Sequence, residues 1–258
     1  MITAGIDMGA KTTKVAILRD GQVVARALTS TGFEQQEAAA QALAEALRLA
    51  GLQRTDVARI FTTGVGRQQA AFADGSLTDV AADARGSHLL NRDLRTVIDV
   101  GAEEGRAIKC TAEGKVADFA INEKCAAGAG SFVEAMSRAL ELPLEKMGEM
   151  SMRSKNAVAM NAQCTVFAES EVVSLVHAKT PKEDIVRAIH DAIANRIVSM
   201  ARRVGVQEAV GLIGGVAHNV GFVDALRRCL EVGSVWVPPE PEYVGAIGAA
   251  AAAAAEAA

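Results

Sequence analysis

Two cysteines stand where metal or redox chemistry is most easily supported, because each lies in a stretch of small and polar residues just ahead of a predicted helix. Cys125 belongs to the stretch 122–132 (NEKCAAGAGSF) and Cys164 to the stretch 161–171 (NAQCTVFAESE). The free N–H groups and the dipole of a helix N-terminus stabilise a thiolate, the form that soft metals and iron–sulfur clusters require. Both cysteines are therefore candidate metal ligands.

Two cysteines are only half of the four thiolates that usually hold a cubane cluster. Two chains that each offered Cys125 and Cys164 would supply the full set, which predicts a cluster at a dimer interface. Plain burial is the alternative, since free cysteine is among the most buried residue types, and the residues alone leave both possibilities open. Cys110, in a predicted strand, and Cys229, in a predicted helix, lack glycine-rich neighbours and are assigned to the core.

A second kind of chemistry is indicated where the first predicted strand ends, in the stretch 7–14 (DMGAKTTK). A glycine there allows a tight turn that exposes successive N–H groups to an anion. Asp7 is a candidate ligand of Mg²⁺, a hard cation that prefers carboxylates and keeps several waters. Asp-x-Gly after a strand is also a common turn without a ligand. The candidate phosphate contacts are Gly9, Lys11, Thr12 and Thr13.

The order strand, turn, strand, hairpin, strand occurs twice, over residues 2–27 and again over residues 96–122. Both copies open with a strand that ends in Asp-x-Gly, and in the second copy these residues are Asp99 and Gly101. Two matching copies support a phosphate site better than one copy does, because two such turns could hold a polyphosphate from both sides.

The duplication predicts an α/β protein of two lobes with a nucleotide cleft between them. We expect the first lobe to span residues 1–94 and the second to span residues 95–258 and carry the cysteine pair. The alanine-rich C-terminal helix would be free to pack back on the first lobe. Further helices are predicted at 34–50, 131–141, 165–178 and, from an N-cap at Thr180 with Pro181 at the first helical position, up to about 203.

Two further glycines, Gly214 and Gly215, end an apolar predicted strand and would allow close approach of a flat adenine or ribose. Asn219 follows them and is either a ribose contact or the N-cap of the next helix. No stretch of the chain fits the pattern Gly-x-x-x-x-Gly-Lys-Ser/Thr, so a P-loop is excluded.

Composition argues against several classes of function. A formal net charge of −4 and a pI near 5.7 oppose a nucleic-acid-binding face. No apolar run reaches the roughly 20 residues of a membrane span, and no signal-peptide pattern opens the chain. We expect a cytoplasmic protein, and in that reducing compartment the four cysteines should not form disulfides.

In this order the motifs resemble those of the actin, hexokinase and heat-shock chaperone superfamily, and the resemblance spans nearly the whole chain. Members of that superfamily have two duplicated ribonuclease-H-like lobes that close over ATP. The resemblance implies an actin/hexokinase-like fold with ATP or ADP and Mg²⁺ as ligands.

Four longer motifs resemble those of the activator family of 2-hydroxyacyl-CoA dehydratases and benzoyl-CoA reductases. The resemblance implies that Cys125 and Cys164 bind one 4Fe–4S cluster that two subunits share. It also implies that ATP hydrolysis changes the angle between the subunits, and that a low-potential electron passes to a partner protein. The motifs are 62–67 (TTGVGR), 124–130 (KCAAGAG), 164–171 (CTVFAESE) and 214–219 (GGVAHN).

The second phosphate turn departs from the dehydratase activators, which usually read Asp-x-Gly-Gly-Gln-Asp-x-Lys, whereas this chain reads DVGAEEGR over 99–106. Glu103 stands where the family's Gln could orient the attacking water. A carboxylate can act there as a general base, but beside phosphate it also adds repulsion. Asp7, Asp99 and Glu103 are the candidate catalytic residues.

The changed turn resembles the smaller, D-type subunit of the ATP-dependent benzoyl-CoA reductases. The main prediction is therefore an ATP-hydrolysing electron-transfer subunit for reduction of the aromatic ring. It implies a homologous larger ATP-binding subunit as heterodimer partner, two substrate-binding subunits, and reduced ferredoxin as electron donor. The alternatives are a homodimeric activator of a 2-hydroxyacyl-CoA dehydratase and a small-molecule kinase of the same superfamily.

Overall fold

The computed structural model describes residues 1–122, 130–160 and 165–257, with the backbone alone at 165 and 166. Nine strands are found in this part of the chain. They are β1 (Ile2–Met8), β2 (Thr12–Arg19), β3 (Gln22–Ser30), β4 (Arg59–Thr63), β5 (Gly75–Ser76), β6 (Thr96–Val100), β7 (Gly105–Cys110), β8 (Val116–Asn122) and β9 (Val210–Ile213).

Eight α-helices complete the regular structure of the described ranges. They are α1 (Gln35–Ala50), α2 (Asp79–Leu90), α3 (Gly130–Ala139), α4 (Leu144–Ser151), α5 (Thr165–His177), α6 (Lys182–Val204), α7 (Val220–Leu230) and α8 (Val244–Glu256). In the described part of the chain, every helix is too short or too polar to cross a lipid bilayer.

The chain divides into two compact units, each made of separate stretches of sequence. The first comprises Met1–Val97, Cys110–Ala117 and Pro238–Ala258, and the second comprises Ile98–Lys109 and Asp118–Val237. Residues 238–258 thus group with the first unit. The sequence prediction counted them within the second lobe, 95–258, with the C-terminal helix free to pack back on the first.

The two sheets repeat the same strand order, β3-β2-β1-β4-β5 in one and β8-β7-β6-β9 in the other. In the first sheet β1 pairs antiparallel with β2 and parallel with β4. The β2–β3 hairpin turns at Asp20 and Gly21, which both adopt positive φ angles, as a two-residue hairpin loop requires. The duplication and the α/β class predicted from the sequence are thereby confirmed.

Helix α8 covers one face of the first sheet through small residues. A side chain at Gly5 of β1 would collide with the Ala246 carbonyl, and one at Gly248 would collide with the Ala82 carbonyl of α2. The alanine and glycine content of α8 therefore allows its backbone to approach both β1 and α2 closely. On the opposite face, α1 packs its buried alanines and leucines against Ala4 and Ile6.

The second unit has its own apolar core, in which Phe132 of α3, Phe222 of α7 and Ile193 of α6 are fully buried. Helix α6 begins at Lys182 with Pro181 as its N-cap, and Pro181 has no side-chain hydrogen bond to the helix. The predicted N-cap at Thr180 was therefore wrong by one position. At Gly51, by contrast, the predicted end of α1 is confirmed by a left-handed residue.

Candidate functional site

In the first unit, Asp7 near the end of β1 is held by a lysine across the hairpin. Lys14 Nζ donates to Asp7 Oδ2 at 3.0 Å, and the two residues are direct partners in the β1–β2 register. The turn between the strands closes through the Gly9 amide, which donates to the Thr12 carbonyl at 3.1 Å. A side chain at Gly9 would lie 2.9 Å from that carbonyl, so the turn requires glycine.

The predicted phosphate contacts of this turn do not all face outward. Thr13 is fully buried, and its hydroxyl lies 3.0 Å from the Thr31 hydroxyl, which itself donates to the Gly9 carbonyl at 2.8 Å. Thr13 therefore braces the turn from inside and is badly placed to contact a ligand. Lys11 is exposed and Thr12 is half-buried, so both remain candidates for phosphate contact. Sequence reasoning missed Thr31.

The second unit repeats this arrangement with an arginine in place of the lysine. Arg106 Nη1 donates to Asp99 Oδ2 at 2.5 Å, and Nη2 donates to Glu104 Oε2 at 2.7 Å. The turn again closes through glycine, because the Gly101 amide donates to the Glu104 carbonyl at 3.0 Å. Glu103 is exposed at the tip of the turn, so its carboxylate is accessible to solvent.

Each of the two aspartates is backed by a glycine that follows a neighbouring strand. Gly64, after β4, has a φ of 90°, and a side chain there would lie 2.5 Å from the Met8 carbonyl and 2.7 Å from Asp7 Oδ1. Gly214, after β9, has a φ of 85°, and a side chain there would collide with Asp99 Oδ1. Gly214 thus packs against the turn that carries Asp99. The sequence around Gly214 did not predict this contact. Gly215 is exposed, with open space around its α-carbon.

Asn219, predicted as either a ribose contact or a helix cap, is the N-cap of α7. Its Oδ1 accepts from the amides of Gly221 and Phe222, each at 3.1 Å. Its Nδ2 donates to His190 Nε2 at 3.0 Å. Burial, with a smaller contribution from Arg228, lowers the pKa of His190 to about 4, so the imidazole is a neutral acceptor. The amide of Asn219 is thus engaged within the second unit, which favours the capping role.

The start of α3 is joined to the second aspartate turn by two backbone hydrogen bonds. The Gly130 amide donates to the Gly101 carbonyl, and the Ser131 amide donates to the Ala102 carbonyl, both at 2.8 Å. A side chain at Gly130 would lie 3.0 Å from Val216 Cγ2 and 3.2 Å from the Gly101 carbonyl. Helix α3 therefore begins in close contact with the turn.

Cys125 and Cys164, the predicted cluster ligands, both lie outside the described residues. A described helix nevertheless follows each of them along the chain, since α3 begins at Gly130 and α5 begins at Thr165. Burial raises the pKa of Cys110 to about 11 and also raises that of Cys229, so both remain thiols. Cys110 is buried, as its assignment to the core predicts, whereas Cys229 is half-buried and packs against the core of the second unit. Within the described ranges, no group of three or more His, Cys, Asp or Glu residues is arranged to hold a metal ion.

Helix α5, which starts directly after Cys164, exposes apolar side chains. Phe167 is 69% exposed, and Val173 and Val176 are 45% and 43% exposed. Phe119, on the strand β8 that leads towards Cys125, is 52% exposed. We call these four residues the apolar surface. Large apolar side chains that are exposed to water are candidates for contact with another protein when they form a continuous patch.

Solved structures define the class of protein. The chain is similar to a ROK family glucokinase from Streptomyces griseus, with a TM-score of 0.62, 14% identity, and coverage of 99% of this chain and 100% of that one. It is far more similar to the activator of the 2-hydroxyisocaproyl-CoA dehydratase from Clostridium difficile, solved with bound ADPNP. There the TM-score is 0.93 and the identity 36%, with coverage of 100% and 96%. The protein therefore has an actin/hexokinase-like fold.

A family model places it more closely. The chain matches the BadF/BadG/BcrA/BcrD ATPase family over residues 4–253, and it belongs to that family. It is 36% identical to the 2-hydroxyisocaproyl-CoA dehydratase activator of Clostridioides difficile, covering 97% of this chain and 94% of the relative. It is 32% identical to the D-type subunit of benzoyl-CoA reductase from Thauera aromatica, covering 96% and 92%. The prediction of the activator family is confirmed, whereas the identities do not single out the D-type subunit.

Proposed function

We propose that this protein is an ATP-dependent electron donor that activates a 2-hydroxyacyl-CoA dehydratase. The proposal puts the homodimeric-activator alternative ahead of the benzoyl-CoA reductase subunit, because identity is higher to a dehydratase activator than to the D-type reductase subunit. The observation that carries it is the repeated aspartate turn, closed by glycine and held by a basic residue in both units. This arrangement occurs in a chain whose fold matches that of an ADPNP-bound activator.

Each turn is proposed to offer contacts for nucleotide phosphate at its own exposed positions. Lys11 and Thr12 supply a charge and a hydroxyl in the first turn, and the amides near Gly101 supply donors in the second. Asp7 fits a Mg²⁺ ion, since its half-buried carboxylate stands at a strand end, and this cation prefers carboxylate oxygens. When bound, Mg²⁺ neutralises phosphate charge. The exposed carboxylate of Glu103 is proposed to orient water for hydrolysis.

The cluster is proposed to be held by Cys125 and Cys164 together with two cysteines of a homologous subunit. The apolar surface supports this, because its residues lie on β8 and α5, which approach Cys125 and Cys164 along the chain. A second subunit that covered Phe119 and Phe167 would remove both rings from water, which favours association. A 4Fe–4S cluster supplies one-electron chemistry at low potential.

The backbone links between the second turn and α3 offer a path from nucleotide to cysteine. The carbonyls of Gly101 and Ala102 accept hydrogen bonds from the first two residues of α3. Any displacement of this turn on nucleotide exchange is therefore passed to the helix that follows Cys125. We propose that this connection lets the nucleotide state alter the environment of the cluster.

A second candidate is the subunit of an ATP-dependent benzoyl-CoA reductase, with a larger homologous subunit, two substrate-binding subunits and reduced ferredoxin as its partners. The second turn favours it, because Arg106 spans two carboxylates there where dehydratase activators usually have a lysine. The likeness to a sugar kinase is at 14% identity and supports the fold alone.

The test is purification of the full chain without oxygen, followed by iron analysis, sizing and an electron-transfer assay. The proposal expects a dimer with about four iron atoms, ATP hydrolysis, and ATP-dependent reduction of an added dehydratase component. Cys125→Ala and Cys164→Ala should lose the iron while nucleotide affinity changes less than about threefold. An iron-free wild-type monomer would contradict the proposal. Activity only with benzoyl-CoA reductase subunits would favour the second candidate.

A further inference from the structure

Thr63, the last residue of β4, carries a buried hydroxyl group that the arrangement of the aspartate turn does not use. The residue is 1% exposed, and within the described residues its Oγ1 has no hydrogen-bond partner. Buried hydroxyl groups almost always have a partner, because leaving one unpaired opposes folding. The hydroxyl of the preceding Thr62, by comparison, donates to the Arg67 carbonyl at 2.9 Å.

The position of Thr63 puts this hydroxyl beside Asp7. Thr63 is the direct partner of Asp7 in the parallel β1–β4 register, and Lys14 is the partner of Asp7 on the other side. Directly paired residues of neighbouring strands have side chains on the same face of a sheet. Lys14, Asp7 and Thr63 therefore form one polar row across three strands, next to the turn at Gly9.

The second unit shows that the fold does not need a hydroxyl at this position. Gly214 packs on Asp99 as Gly64 packs on Asp7, so the residue before each glycine is equivalent. That residue is Thr63 in the first unit and Ile213, also 1% exposed, in the second. In the second unit an apolar side chain fills this buried position. The buried hydroxyl in the first unit is therefore better explained by a ligand than by packing.

We infer that Thr63 is a binding residue whose Oγ1 accepts a hydrogen bond from a water molecule of the hydrated Mg²⁺ ion that Asp7 holds. This inference rests on the proposed function, since it assumes that Mg²⁺-nucleotide binds at the first turn. Mg²⁺ keeps several of its waters in protein sites, and each coordinated water needs acceptors around it. Among the row residues, Lys14 is a donor only, so the hydroxyl of Thr63 supplies an acceptor next to the carboxylate.

The experiment compares Thr63→Val, which has nearly the same shape but no hydroxyl, with Thr63→Ser, which keeps the hydroxyl. The matched control is Thr3→Val, on the same face of the sheet as Thr63. The Thr3 hydroxyl donates to the Ala250 carbonyl at 2.9 Å, and Thr3 lies far along β1 from Asp7. Full-length proteins are prepared without oxygen. ADP affinity is measured by calorimetry with Mg²⁺ and with EDTA, and thermal unfolding is measured without nucleotide.

For Thr63→Val we expect about tenfold weaker ADP binding with Mg²⁺ and unchanged binding in EDTA. Without nucleotide, its melting temperature should be no lower than that of the wild type and up to about 3 °C higher, because an unpaired hydroxyl has been removed. Thr63→Ser should bind within about twofold of wild type, and Thr3→Val should melt earlier with unchanged binding.

Three results would overturn the inference. A Thr63→Val protein that melts earlier, or fails to fold, would show that the hydroxyl stabilises the fold. Equal loss of ADP affinity in EDTA would assign the hydroxyl to the nucleotide itself. Unchanged affinity with Mg²⁺ would leave the hydroxyl without a role in binding. If wild-type protein binds no ADP under any condition, the proposed function fails instead.

Discussion

Arg106 and Asp99 are joined by an ion pair in which Nη1 donates to Oδ2 at 2.5 Å, seven residues apart in the chain. Lys14 and Asp7 make the same pair with the same spacing in the first unit, at 3.0 Å. Each half thus has a basic side chain that holds the aspartate of its turn, a lysine in the first unit and an arginine in the second. Both partners of the arginine pair are only about one-tenth exposed. Removing one of them would leave the other as a poorly hydrated charge, which costs more stability than breaking a surface salt bridge does.

Replacing Arg106 by alanine should lower the free energy of unfolding by about 3 kcal/mol, because a carboxylate then loses its buried partner. Arg106→Lys should recover most of the loss, since a lysine holds the aspartate in the first unit. Denaturant unfolding of the nucleotide-free protein measures both. The control is Arg48→Ala, which breaks the exposed pair with Glu45 and should cost much less stability, because solvent screens that pair. Equal losses for Arg48 and Arg106 would contradict the prediction.

Gly248→Ala tests the close packing of α8 on α2. Alanine is the better helix former by about 1 kcal/mol, but its methyl group would collide with the Ala82 carbonyl, and a backbone atom cannot move aside as a side chain can. We expect a net loss of about 2 kcal/mol of stability, seen as an earlier thermal transition. Gly233→Ala is the matched control, because no atom lies within 4 Å of the new methyl group, and it should be nearly neutral.

His190 predicts a dependence of stability on pH. Burial lowers its folded pKa to about 4, whereas an unfolded histidine titrates near 6.5. Between these values the unfolded chain binds more protons, so stability is complete above pH 6.5 and falls as the pH drops towards 4. The slope from this residue reaches about 1.4 kcal/mol per pH unit.

Urea unfolding at pH 7 and pH 5 measures this slope. His190→Gln keeps an acceptor for Asn219 but removes the titrating ring, and it should lose less stability than wild type between the two pH values. His177→Gln, at an exposed position of α5, should behave as wild type does. An unchanged slope in His190→Gln would assign the acid sensitivity to other groups.

Much of the fold followed from local patterns in the sequence. Asp20 and Gly21 predicted the first hairpin because a two-residue turn there needs positive φ angles, and the structure has them. The repeat of Asp-x-Gly after a strand predicted the two matching sheets. The error at Thr180 has a local cause as well, since Pro181 itself occupies the N-cap position and the helix begins at Lys182.

The parts of the site that sequence reasoning missed depend on contacts between distant residues. Thr31 supports the first turn from the end of β3, and no spacing rule links it to Gly9. Gly64 stands within a family motif, but its contact with Asp7 follows from the parallel pairing of β1 with β4. The role of Thr63 could not be predicted either, because an unpaired hydroxyl is recognised only when its burial and its hydrogen-bond partners are known.

Gly130→Ala tests whether the contact between α3 and the second turn affects nucleotide binding. The new methyl group would lie 3.0 Å from Val216 Cγ2 and 3.2 Å from the Gly101 carbonyl, which is tight enough to shift the turn without unfolding the helix. We expect ADP affinity to fall about fivefold while iron content is retained.

The interpretation of that loss depends on Val216, which a double-mutant cycle can isolate. Val216→Ala removes Cγ2 and should change ADP affinity little by itself, but combined with Gly130→Ala it gives the new methyl group room. The double variant should therefore regain most of the lost affinity, with a coupling energy of about 1 kcal/mol. Additive losses would mean that Gly130 does not act through the contact between α3, Val216 and the turn. Loss of iron in Gly130→Ala alone would instead show that the glycine positions the cysteine segment directly.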